Sequence, residues 1–179
     1  EIGSGMCNFA MILMDELSEF NYICLDLPEL IPAACLSVHE NFCTHDLDVF
    51  LPHELQDSIS STSTRKLTFI TPQQLQELNG GIDLFVNHES FAEMPINVVN
   101  KYLADVKRVC RSGALFYLVN RFARQTNRLS LKYDSYTFFE NYNLRDLSPI
   151  YKEVDELRTY RVGNENRENV IYLGRLSHD

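Results

Sequence analysis

The 179-residue chain contains no tryptophan, only 7 glycines and 6 prolines, and no Cys-x-x-Cys pair among its 5 cysteines. Each shortage excludes something. Without closely spaced Cys or His pairs there is no zinc-ribbon or zinc-finger signature. An odd cysteine count (Cys7, Cys24, Cys35, Cys43 and Cys110) without that spacing fits free thiols in a reducing compartment, so the expected location is the cytoplasm. No apolar run is long enough to span a bilayer. The first residues are acidic and glycine-rich, unlike a signal peptide. Basic residues are in the minority, 16 against 25 acidic ones, for a formal net charge of −9. Binding to a phosphate backbone or to an anionic membrane calls for the opposite sign, so neither nucleic acid nor membrane is an expected partner.

What is present is a core-forming composition. Hydrophobic residues make up 45% of the chain, and 11 Phe and 9 Tyr supply the aromatic bulk. This suffices for one globular domain over residues 1–179. Phe9, Leu13, Leu17 and Phe20 recur at helical spacing over Asn8–Phe20. A short buried strand follows at Asn21–Asp26. Pro28 opens a helix running from Glu29 to about Val38, with Pro32 forcing a break or a late start. Asp46–Leu51 alternates like a strand, and Ser58–Thr64 reads as a polar loop. Lys66–Thr71 and Ile82–Asn87 read as strands around a short helix, Gln73–Leu78, that Gly80 and Gly81 end. Val98, Tyr102, Val106 and Val109 mark one face of a helix after Pro95, which Ser112 and Gly113 close. Ala114–Asn120 is nearly all apolar, as in the centre of a parallel sheet. Thr137–Phe139, Leu157–Val162 and Asn169–Leu176 are strand-like. Gly163–Asn166 supplies a turn between the last two, giving a terminal antiparallel hairpin. The alternation predicts an α/β, Rossmann-like, mostly parallel sheet with helices on both faces, and ligands at the carboxyl ends of its strands.

The chain opens Glu1-Ile2-Gly3-Ser4-Gly5-Met6-Cys7-Asn8. Gly3 and Gly5 suit a backbone that turns sharply and passes close to a ligand. Such a loop normally follows a buried strand, yet only Glu1 and Ile2 precede it. The sequence therefore reads as a C-terminal portion of a longer protein, with most of the first strand missing. Asp26 ends the next strand, where a carboxylate can accept from both hydroxyls of a ribose. An ordinary strand–helix turn with a surface Asp is the plain alternative. Dinucleotide oxidoreductases use this layout with a third glycine, but Asn8 stands in that place here. Glu1 would repel a pyrophosphate and suits a cationic or hydrogen-bond-donating ligand.

Glu1-Ile2-Gly3-Ser4-Gly5 resembles the first motif of class I S-adenosylmethionine-dependent methyltransferases, an acid, any residue, then Gly-x-Gly-x-Gly. Cys7 replaces the last glycine. Asp26 matches the family's ribose-binding acid, Asp83–Asn87 its fourth strand, Ala114–Asn120 its fifth, and the terminal hairpin its sixth and seventh, the seventh antiparallel. The resemblance implies S-adenosylmethionine as cofactor, held by Glu1, Gly3, Ser4, Gly5, Asp26, Leu27 and Asn87. Asn87-His88-Glu89-Ser90-Phe91-Ala92-Glu93-Met94, with Gly113–Arg121, is similar to a sugar O-methyltransferase group. That implies a small acceptor, a sugar hydroxyl, near the carboxyl end of the fourth strand.

An alcohol oxygen is a poor nucleophile, so a base helps its methylation. His88, with a reference pKa of about 6.5, is the candidate, against a packed or capping loop histidine. Glu89 and Glu93 would orient it or bind sugar hydroxyls; Glu93 also suits a plain helix start. Asn120 and Arg121 end the fifth strand and are further candidates for acceptor hydroxyls. Tyr133, Tyr136, Phe138, Phe139 and Tyr142 would either stack on a sugar ring or fill core. His39, His45, His53, Asp46, Asp48 and Glu54 cluster in sequence but read as a solvated loop, so no metal is expected. An NAD-dependent oxidoreductase and a non-catalytic Rossmann-like interaction domain are the alternatives, and homo-oligomerisation stays open.

Overall fold

The computed structural model describes residues 1–41, 47–121, 139–155 and 169–177. The chain divides into two compact units, Glu1–Leu78 and Asn79–Asp179.

In the first unit a parallel sheet runs in the order β1 (Phe20–Leu25), β3 (Arg65–Ile70), β2 (Asp48–Phe50). Ile2 adds a single parallel bridge to Leu25 on the free side of β1. Side chains alternate across a strand. Tyr22 and Cys24 of β1 therefore share a face with their register partners Leu67 and Phe69 of β3. Against that face pack α1 (Asn8–Glu16), through Ala10 and Met14, and α2 (Ile31–Asn41), through Ile31, Ala34 and Val38. Lys66 and Thr68 point the other way and meet α3 (Leu55–Ser60). Ser58 Oγ and Thr68 Oγ1 are 2.5 Å apart, and Lys66 Nζ donates to Ser58 O at 2.8 Å and Ser61 O at 3.1 Å. This sheet thus carries helices on both faces. The buried ammonium satisfies carbonyls that the end of a helix leaves open.

Several local expectations change. The buried stripe of α1 is Cys7–Ala10–Met14, while Leu17 is exposed and Phe9 and Leu13 are only partly covered. Phe9 and Leu13 pack at the margin of the cluster that Ala10 and Met14 share with β1. The helix ends at Glu16, and Phe20 already belongs to β1. α2 takes the late start, with Pro32 in its first turn, where a missing N–H costs nothing. Ser58 to Ser60 are helical and Ser58 is buried, so the polar run is only partly a loop. Its serines are compatible with helix because Ser58 finds a hydrogen-bond partner in Thr68. Pro72–Glu77 is a 3-10 helix whose Gln74 side chain accepts from the Thr71 backbone N–H at 3.0 Å.

In the second unit the sheet order is β4 (Ile82–His88), β5 (Cys110–Arg121), β7 (Asn169–Leu176), β6 (Leu147–Asp155). β4 and β5 are parallel, and β7 is antiparallel to both β5 and β6. α4 (Ile96–Val109) links the parallel pair and buries Val99, Leu103, Val106 and Val109. Val98 and Tyr102, assigned to that face from the sequence, are only partly buried beside it. The helix stops at Val109, before Ser112 and Gly113, because β5 begins at Cys110. The strand paired with β7 is Leu147–Asp155, which the sequence left unassigned; Leu157–Val162 and the turn 163–166 lie outside the described residues. Phe139 opens a 3-10 turn instead of closing a strand, and Thr137 and Phe138 are not described. Phe85 meets Phe116 edge-on at 5.2 Å, and Phe139 packs on Tyr172 at 5.4 Å. A Cβ at Gly174 would come within 2.6 Å of the Tyr172 ring, so any larger residue there requires the ring to shift.

Candidate functional site

The glycine loop of the first unit is built from left-handed backbone. Gly3, Gly5 and Cys7 have φ values of 70°, 52° and 60°, so every second residue turns the same way. Glycine adopts this freely, whereas an L-residue costs roughly 1–2 kcal/mol. Cys7 occupies the position of the motif's third glycine and keeps its conformation; it also precedes α1 as its N-cap residue. The side chain that the glycine lacks goes into the core, fully buried, with Cys7 Sγ 3.2 Å from Cys24 Sγ. A Cβ added at Gly5 would meet nothing within 4 Å, so this turn faces open space.

Hydrogen bonds fasten the loop to β1 and to the acid that follows it. Gly3 N–H donates to Leu25 O at 2.8 Å, Leu25 N–H to Glu1 O at 2.9 Å, and Gly5 N–H to Asp26 Oδ2 at 2.8 Å. The other oxygen of Asp26, Oδ1, accepts from Leu27 N–H at 2.8 Å. The acid at the strand end therefore holds the loop, and each of its oxygens keeps a lone pair for another donor. Asp26 is 7% exposed, whereas the adjacent Leu27 offers an apolar surface, 55% exposed. Ser4 is buried beside Cys7. Tyr22 OH donates to Glu1 Oε2 at 3.1 Å. Burial holds the Glu1 carboxyl above the usual range and also pushes the Tyr22 phenol up. Glu1, Gly3, Ser4, Gly5, Asp26 and Leu27 thus all lie in one stretch of the first unit. Tyr22 was missed in the sequence; its place two residues before Cys24 and four before Asp26 puts it on their side of the strand.

At the carboxyl end of β4, in the second unit, Asn87 is fully buried. Its Oδ1 accepts from Asn120 Nδ2 at 2.9 Å and from Phe91 N–H at 3.3 Å, and its Nδ2 donates to Ser90 Oγ at 2.6 Å. Asn120 is equally buried at the matching end of β5, and its Oδ1 has no hydrogen-bond partner among the described residues. Each residue stood out in the sequence alone, as the end of an apolar strand; their pairing had no signal there. Beyond Asn87 the chain turns through Glu89, whose φ is 63° and whose N–H bonds Val119 O at 2.7 Å. His88 is exposed, and among the described residues nothing hydrogen-bonds its ring; Glu93 is exposed at the end of a short 3-10 helix, Ser90–Glu93. Of the aromatic residues after β5, Phe139 and Tyr142 are core, and Tyr133, Tyr136 and Phe138 lie outside the described residues. Among the described residues no three His, Cys, Asp or Glu side chains group as a metal site, and no helix is long and apolar enough to cross a membrane.

No protein-family model matches the chain, and no curated protein matches it in sequence. Solved structures match it in fold. An S-adenosylmethionine-dependent methyltransferase from Methanosarcina mazei aligns with a TM-score of 0.64 at 16% identity, over 99% of this chain and 91% of that one. An O-methyltransferase family protein from Burkholderia thailandensis aligns with a TM-score of 0.62 at 12% identity, over 98% of this chain and 49% of that one. The cyclase SpnF aligns with a TM-score of 0.69 at 9% identity, over 99% of this chain and 73% of that one. The glycine loop, the acid that closes β1 and the antiparallel strands that follow β5 thus stand in an α/β, Rossmann-like fold shared with S-adenosylmethionine-dependent methyltransferases.

Proposed function

We propose that this chain is a methyltransferase that moves a methyl group from S-adenosylmethionine to a hydroxyl of a small acceptor, a sugar being the acceptor class. The observation that carries the reading is the Gly5 N–H bonded to the Asp26 carboxylate, which joins a left-handed loop to the acid at the end of β1. The residues fit the cofactor by their chemistry. Glu1 and Asp26 are acceptors, suited to an ammonium and to ribose hydroxyls, and the open turn at Gly5 leaves room for close approach. A pyrophosphate at the glycine loop would meet the Glu1 carboxylate unfavourably, which weighs against the dinucleotide alternative.

When bound, the cofactor supplies an electrophilic methyl on its sulfonium. Asp26 would take the ribose, Glu1 the ammonium, the Gly3–Ser4–Gly5 backbone the amino-acid part and Leu27 an apolar face of the adenine. Asn87, proposed as a cofactor contact from the motif, lies in the second unit. His88 would take the acceptor's proton on a ring nitrogen, with Glu89 and Glu93 holding acceptor hydroxyls. A fold alone does not fix chemistry, so the roles rest on these residues.

Isothermal titration of the full chain with S-adenosylmethionine is the first test. Binding is expected, and Asp26→Ala should weaken it at least tenfold, about 1.4 kcal/mol. No heat from the folded protein would overturn the cofactor assignment. His88→Ala is expected to bind cofactor and lose methylation of sugar acceptors followed by mass spectrometry; full turnover would remove His88 as base.

A further inference from the structure

We propose that Cys7 and Cys24 form a reversible disulfide that ties the glycine loop to β1. The two thiols belong to different elements, are fully buried, and aim their sulfurs at each other across 3.2 Å. A disulfide spans about 2.05 Å, so the sulfurs must close by only about 1.1 Å. The segment that would move is suited to it: Gly5 lies two residues before Cys7 with open space around its Cα, and Cys7 is already held in a strained left-handed conformation. The bond would run beside an existing link, since the hydrogen bond from Gly5 to Asp26 joins residues two places from each cysteine. A shared S–H hydrogen bond lowers the Cys7 thiol while burial pushes Cys24 well up, which makes Cys7 the attacking sulfur. A metal does not explain the pair, because among the described residues no third ligand joins it.

The oxidant is a hydroperoxide. The Cys7 thiolate, reached when the loop opens at Gly5, attacks the peroxide O–O bond, giving a sulfenic acid and releasing water once the leaving oxygen is protonated. The Cys24 sulfur then attacks that sulfur and displaces a second water. Two thiols are oxidised by two electrons, one hydrogen peroxide is reduced to two waters, and a dithiol reductant reverses the change.

The test uses the folded full chain exposed to hydrogen peroxide, alkylated under denaturing conditions and cleaved after glutamate. Cleavage at Glu16, Glu19, Glu29 and Glu40 places Cys7, Cys24 and Cys35 on separate peptides. The expected result is a linked pair, Ile2–Glu16 with Phe20–Glu29, that dithiothreitol separates and that Cys24→Ala lacks. Alkylated Cys7 and Cys24, or links made instead to Cys35 or Cys43, would overturn the proposal. The functional consequence rests on the methyltransferase reading. Drawing Cys7 inward shifts the Gly5 amide off Asp26, so the oxidised protein is expected to bind S-adenosylmethionine at least tenfold more weakly, with dithiothreitol restoring it. Equal affinity in both forms would overturn this regulatory effect. Absence of binding to the reduced protein would count against the methyltransferase reading alone, and the peptide map would still decide the disulfide.

Discussion

Cys7 shows how a glycine position tolerates a side chain. Its φ of 60° opposes the residue, while its complete burial against Cys24 favours it. Replacement by Ala removes the sulfur and keeps the strain; replacement by Gly removes more atoms and releases the strain. Gly ordinarily costs about 0.5–1 kcal/mol relative to Ala in regular structure. Here Cys7→Gly is expected to be at least as stable as Cys7→Ala in urea denaturation, and the usual order would refute the strain argument. Glu1 makes a second residue-scale prediction. Burial raises its pKa, so as pH falls it gains a proton before an ordinary carboxylate and loses its attraction for an ammonium. Affinity for S-adenosylmethionine is therefore expected to decline on acidification at a pH above the ordinary carboxylate range. Glu1→Gln should flatten that limb in titrations across pH.

Elements are joined by a few specific bonds over a general apolar core. α3 lies on β3 through Ser58 and Thr68, both buried. Removing one hydroxyl leaves the other buried without its partner, at about 1–3 kcal/mol. Ser58→Ala and Thr68→Val are each expected to cost that much, and the double variant less than their sum. Strict additivity in chemical denaturation would show that the hydroxyls do not interact. This contact also shows where the sequence stopped being informative. A run of serines and threonines says nothing of a partner ten residues away, so Ser58 looked like loop. β5 and β7 were legible because their apolar runs exceed what a surface element tolerates. α1 was legible as a helix, but its buried face was not: Phe9, Leu13 and Leu17 outweigh Ala10 by hydrophobicity, and only the packing against β1 turns Ala10 and Met14 inward. The turn at Gly3 and Gly5 and the acid at Asp26 were legible because residue type and spacing encode them together, and the bond from Gly5 to Asp26 joins them. The amide pair of Asn87 and Asn120 depends on strand register, which no local pattern states.

At the scale of the whole molecule, charge bears on the proposed ligand. With a formal net charge of −9, the protein favours cations in its surroundings. S-Adenosylmethionine carries a sulfonium that S-adenosylhomocysteine lacks. Affinity for the first is expected to fall more steeply with added sodium chloride than affinity for the second, as screening removes the long-range part of the attraction. Equal slopes by calorimetry would mean that the acidic field does not reach the site. The order of strands carries a consequence of another kind. The described strands of the first unit's sheet are made once Ile70 is, but in the second unit β7 lies between β5 and β6 and follows both in the chain. On a ribosome adding about 5–20 residues per second, β5 and β6 must wait for the strand that separates them. The described strands of the half that carries the glycine loop are therefore made before the other half is finished, and a ribosome stalled before Asn169 would display unpaired edges of β5 and β6 to the chaperones of the cell.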